Sequence, residues 1–317
     1  MVTGISDYLA NQADKSLLRN ITSFDLEDSS VLEIEGSRYV NFSSNDYLGL
    51  STHPKLMETL NSYNGKTFGT ASSRLMTGSS RNHSILEKKV AEFKAKPSAL
   101  VFNSGYQANI GVISAICSRK DAVFCDKLNH ASIIDGIKLS GAKLYRFRHN
   151  DREHLSELLE KYRKTHDKAL IVTETVFSMD GDISPLKEIA KLKNNFDCIL
   201  MVDEAHATGI FGEHGSGIVV REGIADDCEI VMGTFSKALG GFGAYVAVST
   251  EMKDYLVNTC RSFIYSTSLP EVIISCNIAA LRLIQEEPFR RVELLKKSDY
   301  LRNNLSKKGF KVMGDSQ

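Results

Sequence analysis

The middle of the chain alternates short apolar runs with amphipathic segments, and this alternation constrains the fold most. The runs are almost continuously hydrophobic, which is typical of strands covered on both faces. In the segment 84–94, Ile85, Leu86, Val90 and Phe93 share one helical face. This alternation predicts an α/β fold with a mostly parallel sheet and helices on both of its faces. Ligands are expected at the carboxyl ends of the strands. The runs are 99–103, 122–126, 143–147, 168–174, 198–204, 229–235 and 244–249.

The chain of 317 residues divides into three predicted parts. Residues 1–45 are expected to form an arm with a hairpin at 31–42. Residues 46–288 are expected to form one large ligand-binding domain. Residues 289–317 are predicted to be a helix and a strand start that open a small, incomplete C-terminal domain.

Composition narrows the class of partner. Lys plus Arg and Asp plus Glu both total 39, so the chain has no net positive charge that would favour binding to a nucleic acid or an anionic membrane. Small molecules are therefore the expected ligands. The N-terminus lacks the pattern of a signal peptide, and no apolar run approaches the roughly 20 residues of a spanning helix, which predicts a cytoplasmic protein. Six scattered cysteines without a C-x-x-C pair predict buried, reduced thiols.

A single lysine, Lys237, follows a predicted strand and precedes three glycines in 233-GTFSKALGGFG-243. It could clamp a phosphate, lie solvated on a loop, or act as a nucleophile. Neither the P-loop sequence motif nor the dinucleotide-binding sequence motif is present around it. The hydroxyls of Thr234 and Ser236 could hold a phosphate instead, which would leave the amine to face elsewhere.

Asp203 and His206 come at the end of another predicted strand, in 198-CILMVDEAHATG-209. A carboxylate there is costly to desolvate unless a cation faces it. The protonated ring nitrogen of pyridoxal phosphate is such a cation, and this cofactor also needs a lysine for a Schiff base. Metal binding is the rival use of these two residues, but no third ligand with matching spacing is evident, so no metal is predicted.

Two further strand ends carry candidate residues. Ser104 and Gly105 can open a helix whose first amides bind an anion, although a plain helix cap explains them equally well. His130 could stack on a flat ring or simply begin a helix. The helix at 184–193 is predicted to start with Ser184 as N-cap and Pro185 as its first residue.

The assembled motifs resemble those of the α-oxoamine synthases, a branch of the fold-type I pyridoxal phosphate enzymes with the aspartate aminotransferase architecture. The resemblance extends from about residue 7 to residue 311. Its motifs are NFSSNDYLGL (41–50), FNSGYQAN (102–109), DKLNHASIIDG (126–136), ETVFSMDGD (174–182), MVDEAHATGIFGEHGSG (201–217), GTFSKALGG (233–241) and FIYSTSLP (263–270).

The resemblance implies catalytic and ring-binding roles. Lys237 would form the Schiff base with the cofactor and then serve as the base that removes the α proton of the substrate. Asp203 would pair with the ring nitrogen, and His206 would bond the phenolic oxygen. His130 would stack on the ring and contact the substrate.

The resemblance also implies how the phosphate and the substrate are held. Gly105 and Tyr106 would bind the phosphate through backbone amides, and Thr234 through its hydroxyl. Ser178 would line the cofactor pocket. Thr267 would reach the site of a neighbouring subunit, which implies a homodimer with shared active sites. The remaining substrate contacts would be Asn45 and Arg19.

The implied reaction is the condensation of an amino acid with an acyl thioester, with loss of carbon dioxide. The motif sequences are most similar to those of family members that join L-alanine to a pimeloyl thioester. The pimeloyl group is carried by coenzyme A or by a carrier protein. Members that join glycine to acetyl coenzyme A are the alternative. Family members usually continue past the position of Gln317, so an inactive truncated protomer or an interaction partner is the alternative without catalysis.

Overall fold

The computed structural model describes residues 4–26, 29–65 and 67–317. Contacts divide the chain into a first unit, residues 1–44, and a second unit, residues 45–317. The predicted boundary between residues 288 and 289 stays a prediction.

The first unit contains one helix and a small antiparallel sheet among its described residues. Helix α1 is Ile5–Asp14, and the strands are β1 (Asp25–Leu26), β2 (Val31–Ile34) and β3 (Ser37–Val40). Strands β2 and β3 pair as the predicted hairpin, with Ile34 opposite Ser37.

The second unit carries the remaining helices and strands of the described chain. Its strands are β4 (Ser98–Phe102), β5 (Ala122–Asp126), β6 (Lys143–Phe147), β7 (Ala169–Glu174), β8 (Ile199–Asp203), β9 (Ile230–Thr234) and β10 (Ala244–Val248). Its helices are α2 (Pro54–Asn61), α3 (Arg81–Phe93), α4 (Gly105–Ile116), α5 (Ala131–Ser140), α6 (Arg152–Tyr162), α7 (Leu186–Asn195), α8 (Ile218–Arg221), α9 (Thr250–Thr259), α10 (Arg261–Ile264), α11 (Glu271–Glu286) and α12 (Phe289–Lys307).

Within the described residues, the strands of the second unit form one sheet in the order β4-β10-β9-β8-β7-β5-β6. The pairs from β9 across to β6 are parallel. Strand β10 runs antiparallel to both of its neighbours. The mostly parallel sheet is confirmed, and each of the seven predicted runs forms one of its strands.

Hydrophobic clusters cover both faces of this sheet. Along β7, Ile171 belongs to one cluster, whereas Leu170 and Val172 belong to the other. Since successive side chains of a strand point to opposite faces, this split explains why the strand sequences are apolar throughout. The first cluster includes residues of α3, α7 and α11, and the second includes residues of α4 and α5.

Two local predictions are wrong. Helix α7 begins at Leu186 with Pro185 as its N-cap, because the Ser184 hydroxyl is buried against Thr173 at 3.3 Å and does not cap the helix. The strand start predicted after α12 is not formed in residues 308–317. Instead, the amides of Asp315 and Ser316 donate to the carbonyl of Gly181 at 3.0 Å.

All six cysteines are free thiols, five buried and Cys276 half-buried. No helix among the described residues has the length and apolar character that crossing a bilayer requires.

A buried ion pair joins α3 to the loop that follows β8. Lys94 and Glu204 are both 0% exposed, and the ammonium lies 2.7 Å from the carboxylate. Lys94 also donates to the Ser216 carbonyl at 2.6 Å, and Glu204 accepts from the Ile218 amide at 2.7 Å. The pair therefore stabilises the loop that leaves the sheet directly after Asp203.

Removing one partner of this pair leaves an uncompensated charge in the core. We predict that Lys94→Met lowers the free energy of unfolding by about 3–5 kcal/mol. The control is Lys88→Met, since Lys88 forms an exposed pair with Glu92 at 3.9 Å and should cost at most about 0.5 kcal/mol. Urea unfolding followed by circular dichroism measures both. Equal losses in the two variants would contradict the structural role of the buried pair.

Candidate active site

A cavity of about 190 Å³ lies where β7, β8 and β9 end. The start of α4 and the residue before α5 complete its wall. Several polar side chains from separate strands therefore face one space, as expected at the carboxyl edge of a parallel sheet. The lining residues are Gly105, Tyr106, Asn109, His130, Ser132, Glu174, Asp203, Ala205, His206, Met232, Thr234, Ser236 and Lys237.

Lys237 and His206 are in direct contact in this cavity. The Lys237 Nζ lies 2.7 Å from the His206 Nε2. On the other side of the imidazole, Nδ1 lies 2.7 Å from the Tyr47 hydroxyl. That hydroxyl contacts the Asn45 Oδ1 at 3.2 Å. Asn45, a predicted substrate residue, is thus connected to the lysine by two intervening side chains.

Asp203 ends β8 and is 4% exposed. Its Oδ2 accepts a hydrogen bond from the Asn109 side chain at 2.9 Å, and its Oδ1 accepts one from the Ala205 amide at 2.9 Å. The same Asn109 amide group lies 3.0 Å from the Ser132 hydroxyl. These bonds hold the carboxylate in one orientation toward the cavity.

Glu174 ends β7 beside Asp203, and sequence reasoning assigned it no role. It is 4% exposed and accepts the backbone N–H of His130 at 2.6 Å. Burial raises the pKa of Glu174 to about 8, with the charge of Asp203 as the next cause. The site therefore holds a second carboxyl group that keeps its proton near neutral pH.

Burial of Lys237 favours a reactive amine, because it lowers the pKa of the lysine. Asp203 and, when it is ionised, Glu174 oppose that shift. Burial also lowers the pKa of His206 to about 3, with Lys237 and then His130 as further causes. The imidazole is thus neutral at physiological pH, and the lysine loses its proton more readily than an exposed lysine does.

The start of α4 forms another part of the cavity wall. Helix α4 begins at Gly105, and the Ser104 hydroxyl caps it by accepting the Gln107 amide at 3.1 Å. The first amides of a helix have no partner within the helix and favour an anion. The Thr234 hydroxyl lies 2.7 Å from the Ser236 hydroxyl at the same cavity.

The structure brings most of the predicted site residues together. Lys237, Asp203, His206, His130, Thr234, Gly105 and Tyr106 all line the cavity. The His130 Nδ1 lies 2.8 Å from the Ser132 hydroxyl and caps α5. The Tyr106 hydroxyl donates to Asp135 at 2.6 Å.

Three predicted residues lie elsewhere. Ser178 is exposed in the turn after Phe177, and Thr267 is exposed with its carbonyl accepting from Asn103 at 2.7 Å. Arg19 belongs to the first unit and is exposed. Their predicted roles stay predictions.

Glu174, Asn109 and Tyr47 are the residues that sequence reasoning missed. Glu174 carried a usable signal, since it ends an apolar run as Asp203 does. Tyr47 and Asn109 carried none, because their partners lie 159 and 94 residues away in sequence.

The side chains at this cavity fit pyridoxal phosphate. A buried carboxylate suits the cationic ring nitrogen, and a buried amine suits the aldehyde. A helix start with two hydroxyls suits the phosphate. Asp203, Lys237 and the Gly105 and Thr234 region would hold these three groups.

Comparison with known proteins shows the family of the chain. A family model for class I and II aminotransferases matches residues 37–317, and the chain belongs to that family. Over 301 residues it is 46% identical to the 8-amino-7-oxononanoate synthase of Geotalea daltonii, covering 94% of this chain and 77% of that protein.

Solved structures are also similar. An 8-amino-7-oxononanoate synthase from Francisella tularensis matches with a TM-score of 0.75 at 33% identity, covering 87% of this chain and 78% of that one. A serine palmitoyltransferase from S. paucimobilis, solved with a bound PLP–myriocin aldimine, matches with a TM-score of 0.87 at 28% identity, covering 98% and 78%. The fold-type I architecture and the pyridoxal phosphate cofactor are confirmed.

The raised pKa of Glu174 predicts a pH-dependent stability. The folded protein binds this proton more tightly than the unfolded chain, so the stabilisation is full below about pH 4.5 and is lost as the pH rises through about 8. Glutamine cannot ionise. We therefore predict that Glu174→Gln becomes more stable than the wild type by about 1–3 kcal/mol as the pH rises from about 5 to about 9.

Urea unfolding of the cofactor-free protein across this pH range measures the difference. Glu157→Gln is the control, because Glu157 is exposed on α6. If the difference between Glu174→Gln and the wild type does not change with pH, Glu174 is not a buried protonated carboxyl group.

Proposed function

We propose that the chain catalyses the decarboxylative condensation of L-alanine with a pimeloyl thioester to give 8-amino-7-oxononanoate, carbon dioxide and the free thiol carrier, a step of biotin biosynthesis. The chain is an acyltransferase of the α-oxoamine synthase type. The observation that carries the proposal is the contact of Lys237 with His206 beside the buried Asp203. The 46% identity to a synthase of this name supports the choice of substrates.

Pyridoxal phosphate, when bound, supplies an aldehyde that condenses with amines and a ring that accepts the electron pair left at the α carbon. Asp203 is placed to keep the ring nitrogen protonated, because its two oxygens are fixed by Asn109 and Ala205. The Gly105 and Tyr106 amides and the Thr234 hydroxyl would hold the phosphate, and His130 would cover the ring.

Lys237 would hold the cofactor through its Nζ and, once released, would accept the α proton of the amino acid on the same atom. Its lowered pKa favours this role, because an amine must be deprotonated to act as nucleophile or base. Asn45 would contact the substrate and Ser178 would line the approach to the cofactor, and Arg19 remains a predicted substrate residue.

We also propose that the protein acts as a homodimer in the cytoplasm. Thr267 is exposed and forms an isolated antiparallel β-bridge with Ser73. Shortly after Ser73, the side chains of Leu75 (48%) and Met76 (78%) are exposed. Apolar side chains exposed together favour a protein interface. The free cysteines suit a reducing compartment.

The dimer proposal predicts a mass of twice 35.1 kDa in sedimentation equilibrium. A mass of 35.1 kDa at all loading concentrations would contradict shared active sites.

The substrate proposal predicts release of coenzyme A with L-alanine and pimeloyl coenzyme A, and 8-amino-7-oxononanoate by mass spectrometry. Lys237→Ala should lower the rate at least about 1000-fold, since attachment and proton transfer use the same amine. Lys191→Ala, at an exposed position of α7, should keep the wild-type rate.

Turnover of glycine with acetyl coenzyme A alone would assign the chain to glycine C-acetyltransferase instead. Failure with both substrate pairs, in protein that holds the cofactor, would contradict the proposed acyl transfer.

A further inference from the structure

Four side chains of the second unit form a continuous line from Lys237 to Asn45. The three contacts are Lys237 Nζ to His206 Nε2 at 2.7 Å, His206 Nδ1 to the Tyr47 hydroxyl at 2.7 Å, and that hydroxyl to the Asn45 Oδ1 at 3.2 Å. Tyr47 is half-buried, and the His206 ring is 8% exposed. Bulk water therefore has little access to the middle of this line.

The donors and acceptors at the two ends of the line fix the protons between them. A lysine ammonium only donates, so the His206 Nε2 must accept from it. A neutral imidazole carries one proton, which then belongs on Nδ1 and is donated to the Tyr47 oxygen. The Asn45 Oδ1 only accepts, so the Tyr47 hydroxyl donates to it.

We propose that Tyr47 is a positioning residue that holds His206 as the Nδ1–H tautomer and so keeps the Nε2 lone pair on Lys237. The proposal rests on the proposed function in one respect, that Lys237 is the reactive amine. It adds a residue that neither contacts the lysine nor lines the cavity itself, and that acts on the lysine through His206.

The opposite tautomer requires a different set of partners. With the proton on Nε2, Lys237 would have to be a neutral amine that accepts it, and Tyr47 would have to donate to Nδ1. The Asn45 Oδ1 would then lose its donor. In this structure all three contacts are satisfied together by the first arrangement while Lys237 is an ammonium.

Other charged groups around the line bear on the proton of Lys237. Asp203 from β8 and Glu174 from β7 face the ammonium and favour it, whereas His130 faces His206. His206 itself stays neutral, because burial lowers its pKa to about 3. A change of tautomer, rather than a change of imidazole charge, is therefore the expected response when Tyr47 is altered.

Nitrogen-15 NMR of histidine-labelled protein tests the proposal directly, in the full chain without cofactor. His206 resonances are assigned by their loss in His206→Asn. In the wild type we expect a protonated Nδ1 and an unprotonated Nε2. In Tyr47→Phe, the Nδ1 proton loses its acceptor, and at a pH at which Lys237 has lost its proton we expect the protonated nitrogen to change to Nε2 in a major fraction of the molecules.

Tyr145→Phe is the matched control, because the Tyr145 hydroxyl contacts another histidine, His166, at 3.1 Å outside the site. It should leave the His206 resonances unchanged. A protonated Nε2 in the wild-type spectrum would overturn the proposal without any variant. An unchanged tautomer in folded Tyr47→Phe would overturn it as well.

The rate at which the free protein captures added pyridoxal phosphate gives a second readout. Loss of the Nε2 lone pair removes a partner of the ammonium, so the pH midpoint of the capture rate should fall by about one unit in Tyr47→Phe. Tyr145→Phe should keep the wild-type midpoint. An unchanged midpoint in Tyr47→Phe would contradict the inference, whereas absence of capture by the wild type would contradict the proposed function itself.

Discussion

The whole site depends on one constraint, that a desolvated lysine must be balanced by groups that its own loop cannot supply. Lys237 follows β9, and the carboxyl groups that face it end β7 and β8. Two buried carboxyl groups side by side repel each other when both are ionised, and the nearby amine reduces that repulsion. The lysine and the acids are therefore stabilised by the same cavity that later receives the cofactor.

The parallel sheet makes this arrangement possible, since neighbouring strands end at one edge. Sequence patterns were sufficient to predict the seven strands and the residues at their ends, because each buried strand is apolar throughout. The hairpin at 31–42 was also predicted from its sequence. Asp203, His206, His130 and Lys237 could be named as candidates because each lies at or shortly after the end of a predicted run, and the family resemblance then implied their roles.

The remaining features depend on contacts that a local pattern does not contain. Strand order decides that Glu174 lies beside Asp203, and nothing in the sequence around either residue specifies that order. The contact of Tyr47 with His206 joins a loop before α2 to a loop after β8. The predicted N-cap of α7 was wrong for a related reason. The Ser184 hydroxyl contacts the buried Thr173 hydroxyl and does not accept an amide of the helix start.

Mapping the lysine to which the cofactor attaches tests whether Lys237, among the acids of the cavity, is the reactive amine. The protein is mixed with pyridoxal phosphate, reduced with borohydride, digested and mapped by mass spectrometry. We predict the reduced cofactor on Lys237 alone. Labelling spread over exposed lysines such as Lys127 and Lys191, or no labelling of Lys237, would contradict it.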